Sequence, residues 1–326
     1  MTEHDSVERL IKLAGERDLP SAEGMQRARA ASEQAWRQTL AQPVRKAPRL
    51  GRFLAPGLAM AASLVLLVWF VGRPAPEPAP PVMLGRVMAV EGSVLEVREG
   101  SRIPLRLDAP VSSGAGLETS QGRVAIAFGT ALSLRLDHAT RLTFDGPDQI
   151  RLSAGSVYVD SGGISASSAL RILTPAGEVS HIGTQFQVSV VGEVTRVRVR
   201  EGRVQMESRD GGARQDLATG DALEVRGGEF FLTRGLPSFG ADWAWAAAVG
   251  PVLEIENRPL AEFLAWLVRE QGWRLHFASE SLQEQAGQIR LHGSLQGLDA
   301  EAMLERVSLV TGVRLEVRHG VLWVGA

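Results

Sequence analysis

The sequence predicts a multi-domain chain: a short α-helical segment, one transmembrane helix, an all-β domain, and a small α+β domain at the C-terminus. Three observations predict it. Residues 53–72, FLAPGLAMAASLVLLVWFVG, run without a charged side chain. From Leu84 to about Val225 apolar residues recur at every second position, between Gly, Asp and Ser turns, which is the period of a half-buried strand. Beyond Trp243 and Trp245 the helical period returns in stretches such as AEFLAWLVREQG.

Residues 1–52 read as two short helices. Asp5 and Ser6 can cap the first, and Val7, Leu10, Ile11 and Ala14 share one face. Gly15 and Pro20 end it. Ser21 can cap the second, and Met25, Ala28, Ser32, Ala35, Trp36 and Leu40 line one side before Pro43. Two helices of this size bury too little to be stable alone. Their apolar faces are therefore expected to be completed by a partner, with Leu10, Ile11 and Trp36 as the partner-binding candidates. The competing reading is a loosely ordered tail with a basic, membrane-proximal end.

Residues 53–72 are long enough, at about 1.5 Å rise per residue, to cross the ~30 Å apolar core of a bilayer. Arg45, Lys46, Arg49 and Arg52 precede the span, and only Arg73 follows it directly. That asymmetry places the N-terminus in the cytoplasm and everything after the span outside. Residues 73–83 form a linker whose PAPEPAPP run favours polyproline II, which at about 3.1 Å per residue holds the next domain roughly 25 Å from the bilayer.

The all-β domain is assigned to residues 84–228. Three turn-then-strand phrases recur, at Glu91-Gly92, at Gly155, and at Glu201-Gly202, each expected to be a tight hairpin. Phe186 and Val188 alternate with Gln185 and Gln187, so the first pair should face the core. Arg196, Arg198 and Arg200 lie opposite Val197 and Val199. That stripe reads as a solvated face or, less simply, as a contact for an acidic partner. A linker at 229–251 leads to the α+β domain at 252–326. Its expected order is strand 252–260, a helix ended by Gly272, strand RLHFAS, strand IRLHGSLQG, a helix capped by Asp299 and ended by Gly312, and a hairpin around His319-Gly320.

Composition narrows the function. A formal net charge of −2 gives no bulk attraction to nucleic acid. The chain has no cysteine, which removes disulfides, thiolate metal sites and cysteine nucleophiles. His4, His138, His181, His276, His292 and His319 are scattered, and no HExxH, GxSxG or Walker motif occurs. His276 and His292 fall in expected strands of the last domain and could approach one another. Asp108, Asp137 and Asp145 sit near turn signals. No catalytic residue, cofactor site or metal site is expected, and the chain reads as a binding protein rather than an enzyme.

The β stretch resembles the FecR family of transmembrane regulators. The resemblance rests on LSAGSVYVDSG, ILTPAGEVSHIGTQFQVSV, RVRVREGRVQMES and LATGD, in that order. The family-motif residues are Pro175 and Gly177 of the TPxG turn, Gly183, Thr184, Phe186 and Val188 of the GTxFxV strand, and Glu201 and Gly202. NRPLAEFLAWLVREQG, LHGSLQGLDAEAMLERV and TGVRLEVRHGVLWV resemble the short N-terminal domain of secretins and TonB-dependent receptors, a protein-docking module. The resemblance implies an inner-membrane, anti-sigma-like regulator. Its inside helices would hold an extracytoplasmic-function sigma factor, and its outside domains would answer an outer-membrane receptor. FecR relatives acting on sigma factors often carry a Trp-rich N-terminal domain, whereas residues 1–52 contain Trp36 alone. The alternative is a membrane-anchored envelope scaffold with no sigma-factor partner.

Overall fold

The alternating segment folds into fifteen strands joined in a single hydrogen-bonded network. The computed structural model describes residues 82–162 and 170–325, together with Gln26, Arg29 and Ala30, which are helical. Leu10, Ile11, Trp36, the apolar run 53–72 and nearly all of the Pro-rich linker lie outside the described residues. Among the described residues no helix is long and apolar enough to cross a membrane.

The strands are β1 (Met83–Glu91), β2 (Val94–Arg98), β3 (Ser101–Pro104), β4 (Pro110–Ser112) and β5 (Gly116–Thr119). Then follow β6 (Arg123–Phe128), β7 (Leu132–Leu136), β8 (Arg141–Gly146), β9 (Gln149–Asp160) and β10 (Arg171–Thr174). The longest are β11 (Gly177–Val191) and β12 (Val194–Ser208), after which β13 (Arg214–Ala218), β14 (Ala222–Arg226) and β15 (Glu229–Thr233) complete the body. The main path runs β15-β14-β12-β11-β10-β9-β7-β6-β1-β4. Within this body the β9–β10 pair is parallel and the other pairs are antiparallel.

The long strands change neighbours partway. β9 pairs with β8 and β10 over its first half and with β7 and β11 from Gly155 onward. β12 pairs with β14 up to Arg198 and with β13 from Arg203. Strands that serve two sheet regions turn a sheet's corners. The inward alternate residues, among them Ile126, Leu134, Phe144, Val157, Phe186, Val188 and Val197, form one core and are fully buried.

The Glu201-Gly202 phrase is not a hairpin turn. It lies in the middle of β12, where Gly183 and Thr184 of β11 stand opposite Gly202 alone. The result is a bulge, which bends the strand where it changes partners. Gly202 has φ +86°, and a Cβ there would lie 2.5 Å from the Gly183 carbonyl oxygen. A glycine inside a strand pattern has two readings, tight turn or bulge, and only the pairing decides between them. Gly155 likewise lies within β9 rather than at a hairpin. The TPxG turn is a two-residue hairpin: Thr174 pairs with Gly177, and Thr174 Oγ1 accepts the Gly177 N–H at 3.2 Å and donates to its carbonyl at 2.9 Å.

Residues 229–251 differ from the expected linker. They hold β15, which pairs with β14, and a helix, α1 (Ala241–Ala248). The helix has no side-chain cap and is mostly alanine, so no strong periodic signal marks it. The C-terminal segment continues with β16 (Arg258–Pro259), α2 (Leu260–Gln271), β17 (Arg274–Phe277), α3 (Glu280–Gln288), β18 (Arg290–Leu291), α4 (Ala300–Thr311), β19 (Arg314–Arg318) and β20 (Val321–Gly325). Helix α3 is absent from the expected order, and the strands around 252–260 and 290–297 shrink to the two-residue β16–β18 pair. ESLQEQAGQ is too polar to show an apolar stripe; Leu282 and Ala286 alone are buried. Its Ser279 cap accepts the Leu282 N–H at 3.3 Å. Asp299 caps α4 through the Ala302 N–H at 2.8 Å, and Gly272 and Gly312 end α2 and α4 in left-handed conformation. β17-β20-β19 form a second sheet, parallel then antiparallel, and the three helices pack with it around Phe263, Leu264, Leu267, Leu304 and Leu322. Residues 79–326 form one compact unit.

Candidate functional site

The most unusual chemistry in the described residues is a buried polar seam between the β body and the C-terminal segment. It begins with register. Tyr158 of β9 stands beside Arg135 of β7 on one side and Gln187 of β11 on the other, and Gln187 stands beside Arg198 of β12. Side chains at paired positions share a face. Arg198, Gln187, Tyr158 and Arg135 therefore form a row across four strands, on the face opposite the core. Alternation alone makes that face solvent-exposed. The structure covers it with α1 and the last turn of α2.

Arg135 is 1% exposed. Its guanidinium donates two parallel hydrogen bonds to Glu270, Nη1 to Oε2 at 2.6 Å and Nη2 to Oε1 at 2.8 Å, and a third to the Ala246 carbonyl at 2.8 Å. The fork-to-fork geometry is what lets a charge survive out of water. Burial works against the charge on Arg135, but Glu270 outweighs it, so the guanidinium is held even more firmly protonated than usual. Arg269, the preceding residue of α2, pairs with Asp160 and reaches Glu201 at 2.9 Å. Gln185 donates to the other Asp160 oxygen at 2.9 Å. Burial alone would raise the Asp160 carboxyl; Arg269, Gln185 and the Gly162 N–H overcome it and hold it below the ordinary range.

The arginine stripe is solvated only at Arg196. Arg196 pairs with Glu224 at the surface. Arg198 lies over the Trp243 ring at 4.9 Å and meets Asp242 at 2.9 Å. Arg200 is 2% exposed, donates to the Ser238 carbonyl at 2.6 Å, and lies 5.3 Å from the Trp243 ring centre and 6.0 Å from that of Tyr158. Tyr158 and Trp243 meet edge to face at 6.1 Å. Burial pushes the Tyr158 hydroxyl up to about 12. The acidic partner that the stripe could meet is thus supplied, in part, by this chain. The chain comes so close here that a Cβ on Gly272 would lie 2.0 Å from the Ser238 carbonyl oxygen.

Residues 115–205 match the family model described as FecR protein. The heart of the β body is FecR-like. That match takes in β5 to β11 and most of β12, with Arg135, Tyr158 and Asp160 of the seam among them. Two similar solved structures are each a proposed anti-sigma factor from Parabacteroides distasonis ATCC 8503. One is 14% identical and covers 71% of this chain and 98% of its own, with a TM-score of 0.33. The other is 14% identical and covers 64% of this chain and 97% of its own, with a TM-score of 0.34. No curated protein matches the chain.

The motif residues of the FecR-like core lie in the core, at a bulge and at a turn. Phe186 and Val188 are fully buried. Gly183, Thr184, Glu201 and Gly202 build the β11–β12 bulge, and Pro175 and Gly177 build the β10–β11 turn. Beside the bulge lies an unusual histidine. His181 stacks on Phe186 at 5.2 Å and is 3% exposed, with neither ring nitrogen hydrogen-bonded. Burial pushes it down to about 4, so it is a neutral imidazole at ordinary pH. His276 and His292 take different partners. His276 packs on Trp323 at 4.1 Å, and His292 Nδ1 lies 2.8 Å from Glu256. Asp137 and Asp145 pair with Arg123 and Arg151.

Arg135, Tyr158, Asp160, Trp243, Arg269 and Glu270 are functional candidates that sequence reasoning missed. One signal was available. The buried face of α2 runs Leu260, Phe263, Leu264, Leu267 and then Glu270. A glutamate three residues beyond Leu267, on the apolar stripe, requires a cation inside the protein. No local pattern says which cation.

Proposed function

We propose that this protein is a single-pass, inner-membrane regulator of the FecR type. Its N-terminal segment would face the cytoplasm, and the FecR-like body and C-terminal segment would lie outside. The observation that carries the reading is the FecR match at residues 115–205, placed after an uncharged run at 53–72 with a basic leading flank. The function is binding and signal relay, not catalysis. The inside partner is an extracytoplasmic-function sigma factor, held through Leu10, Ile11 and Trp36. The outside partner is an outer-membrane receptor, met by the C-terminal segment as a domain of the secretin and TonB-receptor type.

The deciding experiment deletes residues 1–40 and sequences RNA, with membrane levels checked by blot and the outside signal supplied. A changed set of transcripts with normal membrane levels supports the regulator. An unchanged transcriptome overturns it and favours an envelope scaffold, the reading suggested by the single Trp36 in residues 1–52. Trp36→Ala is the finer variant. Truncating an interface hot spot costs on the order of 2 kcal/mol, about thirtyfold in affinity, and should release the inside partner while the outside domains stay folded.

A further inference from the structure

A groove of about 1190 Å³ opens on the C-terminal segment, walled by α1, α2, α4 and β19. It exceeds the roughly 300–1,000 Å³ of ordinary small-molecule sites. Ala244, Ala247 and Ala248 lie along one wall, where small side chains permit close approach. Trp266, Trp273, Val317 and Leu309 offer apolar surface, and Leu309 is 84% exposed. It is the grouping of these side chains around one groove, rather than any single exposed one, that marks an interaction surface.

Its charge is one-sided. The whole chain balances 35 basic against 37 acidic residues, yet the groove lining holds five acidic side chains and no basic one. Glu270 is neutralised by Arg135, and Glu316 by Arg314 and Arg318. Glu301 and Glu305, on the first turns of α4, and its cap Asp299, which already accepts the Ala302 N–H, remain with no ion pair among the described residues.

We infer that this groove is a docking site for a basic amphipathic helix of another protein. Its apolar side chains fill the space between α2 and α4, and its Lys or Arg residues meet Asp299, Glu301 and Glu305. A helix suits the site because three of its walls are helices, whose backbone groups are already paired. An extended peptide would find hydrogen bonds only along the free edge of β19. A helix satisfies its own backbone and brings side chains alone, and complementary charge sets its orientation and speeds its arrival. Glu270 belongs both to the groove and to the seam, so an occupant lies against the residue that holds Arg135. The inference stands on the groove alone and does not require the sigma-factor reading.

The probe is a synthetic helix of about five turns, with leucines on one face, lysines flanking them, and a benzophenone replacing one central leucine. It is irradiated with the full chain in a zwitterionic detergent, and adducts are mapped by mass spectrometry. Adducts on Trp266, Val317 or Leu309, competed by the unlabelled lysine helix and not by a glutamate counterpart, are expected. Glu301→Lys with Glu305→Lys should cut the yield about tenfold, the loss expected when two charge contacts become repulsive. Both residues and Leu309 are exposed, so these variants and Leu309→Asp leave the core untouched. No adduct in the groove, or undiminished yield in the charge-reversed variant, overturns the proposal. Equal labelling by a proline-broken peptide also overturns it, in favour of strand addition on β19.

Discussion

Arg135 has exchanged all its water for Glu270 and one carbonyl, so its fate depends on that carboxylate. Glu270→Ala leaves a buried, unpaired guanidinium and should destabilise the chain by about 3–5 kcal/mol. Replacing both partners, Arg135→Met with Glu270→Leu, removes the unpaired charge and should recover most of that loss. Chemical unfolding of the two variants checks this; equal losses would show that the pair is not what the burial implies. Phe186→Ala empties a fully buried site beside His181 and should cost about 3–5 kcal/mol. His181 adds a pH dependence. Above its unfolded value near 6.5 the imidazole is neutral in both states and contributes nothing. Below it the unfolded chain takes up the proton first, because burial holds the folded value at about 4. Stability should therefore fall as pH drops from 6.5 toward 4, by about 3 kcal/mol in all from this group. Unfolding curves across that window should flatten in His181→Leu.

At the scale of elements, the β11–β12 pair is interrupted partway by a bulge. Gly183 and Thr184 against Gly202 let one strand serve β14 and then β13. Gly202→Ala combines a left-handed φ with a 2.5 Å contact to a backbone oxygen, and should cost at least ~2 kcal/mol. The loss should appear first as faster amide exchange in β13 and β14, which depend on that bend; uniform exchange would speak against the bulge as their support. The end of α2 is a second such element. Gly272→Ala cannot be accommodated without moving the Ser238 carbonyl, which also accepts from Arg200. That variant is expected to increase amide exchange in α1, while the β body core remains protected.

At the scale of the whole molecule, the proposed membrane crossing has its own test. A reporter active only outside the cytoplasm should work when fused after Val82 and fail before Arg45. The opposite pattern would overturn the reading. Changing Arg45, Lys46, Arg49 and Arg52 to Glu should impair or mix the orientation, as expected if the basic flank sets it.

What was legible in the chain was local. The alternation of Gln185-Phe186-Gln187-Val188 is enough to send Phe186 and Val188 inward, and Asp299, Gly272 and Gly312 mark helix ends by residue chemistry alone. The FecR-like motifs were legible too, because bulges and tight turns demand particular residues at particular spacings. Period two separates the two faces of a strand but says nothing about what later covers the polar one. Arg198 and Arg200 therefore read as surface, and only tertiary packing covered them, along with Tyr158 and Arg135. Their partners are far away in sequence, with Glu270 lying 135 residues beyond Arg135. Helices α1 and α3 escaped for a related reason: one is alanine-rich and the other polar, and both are fixed by what they pack against rather than by their own periodicity.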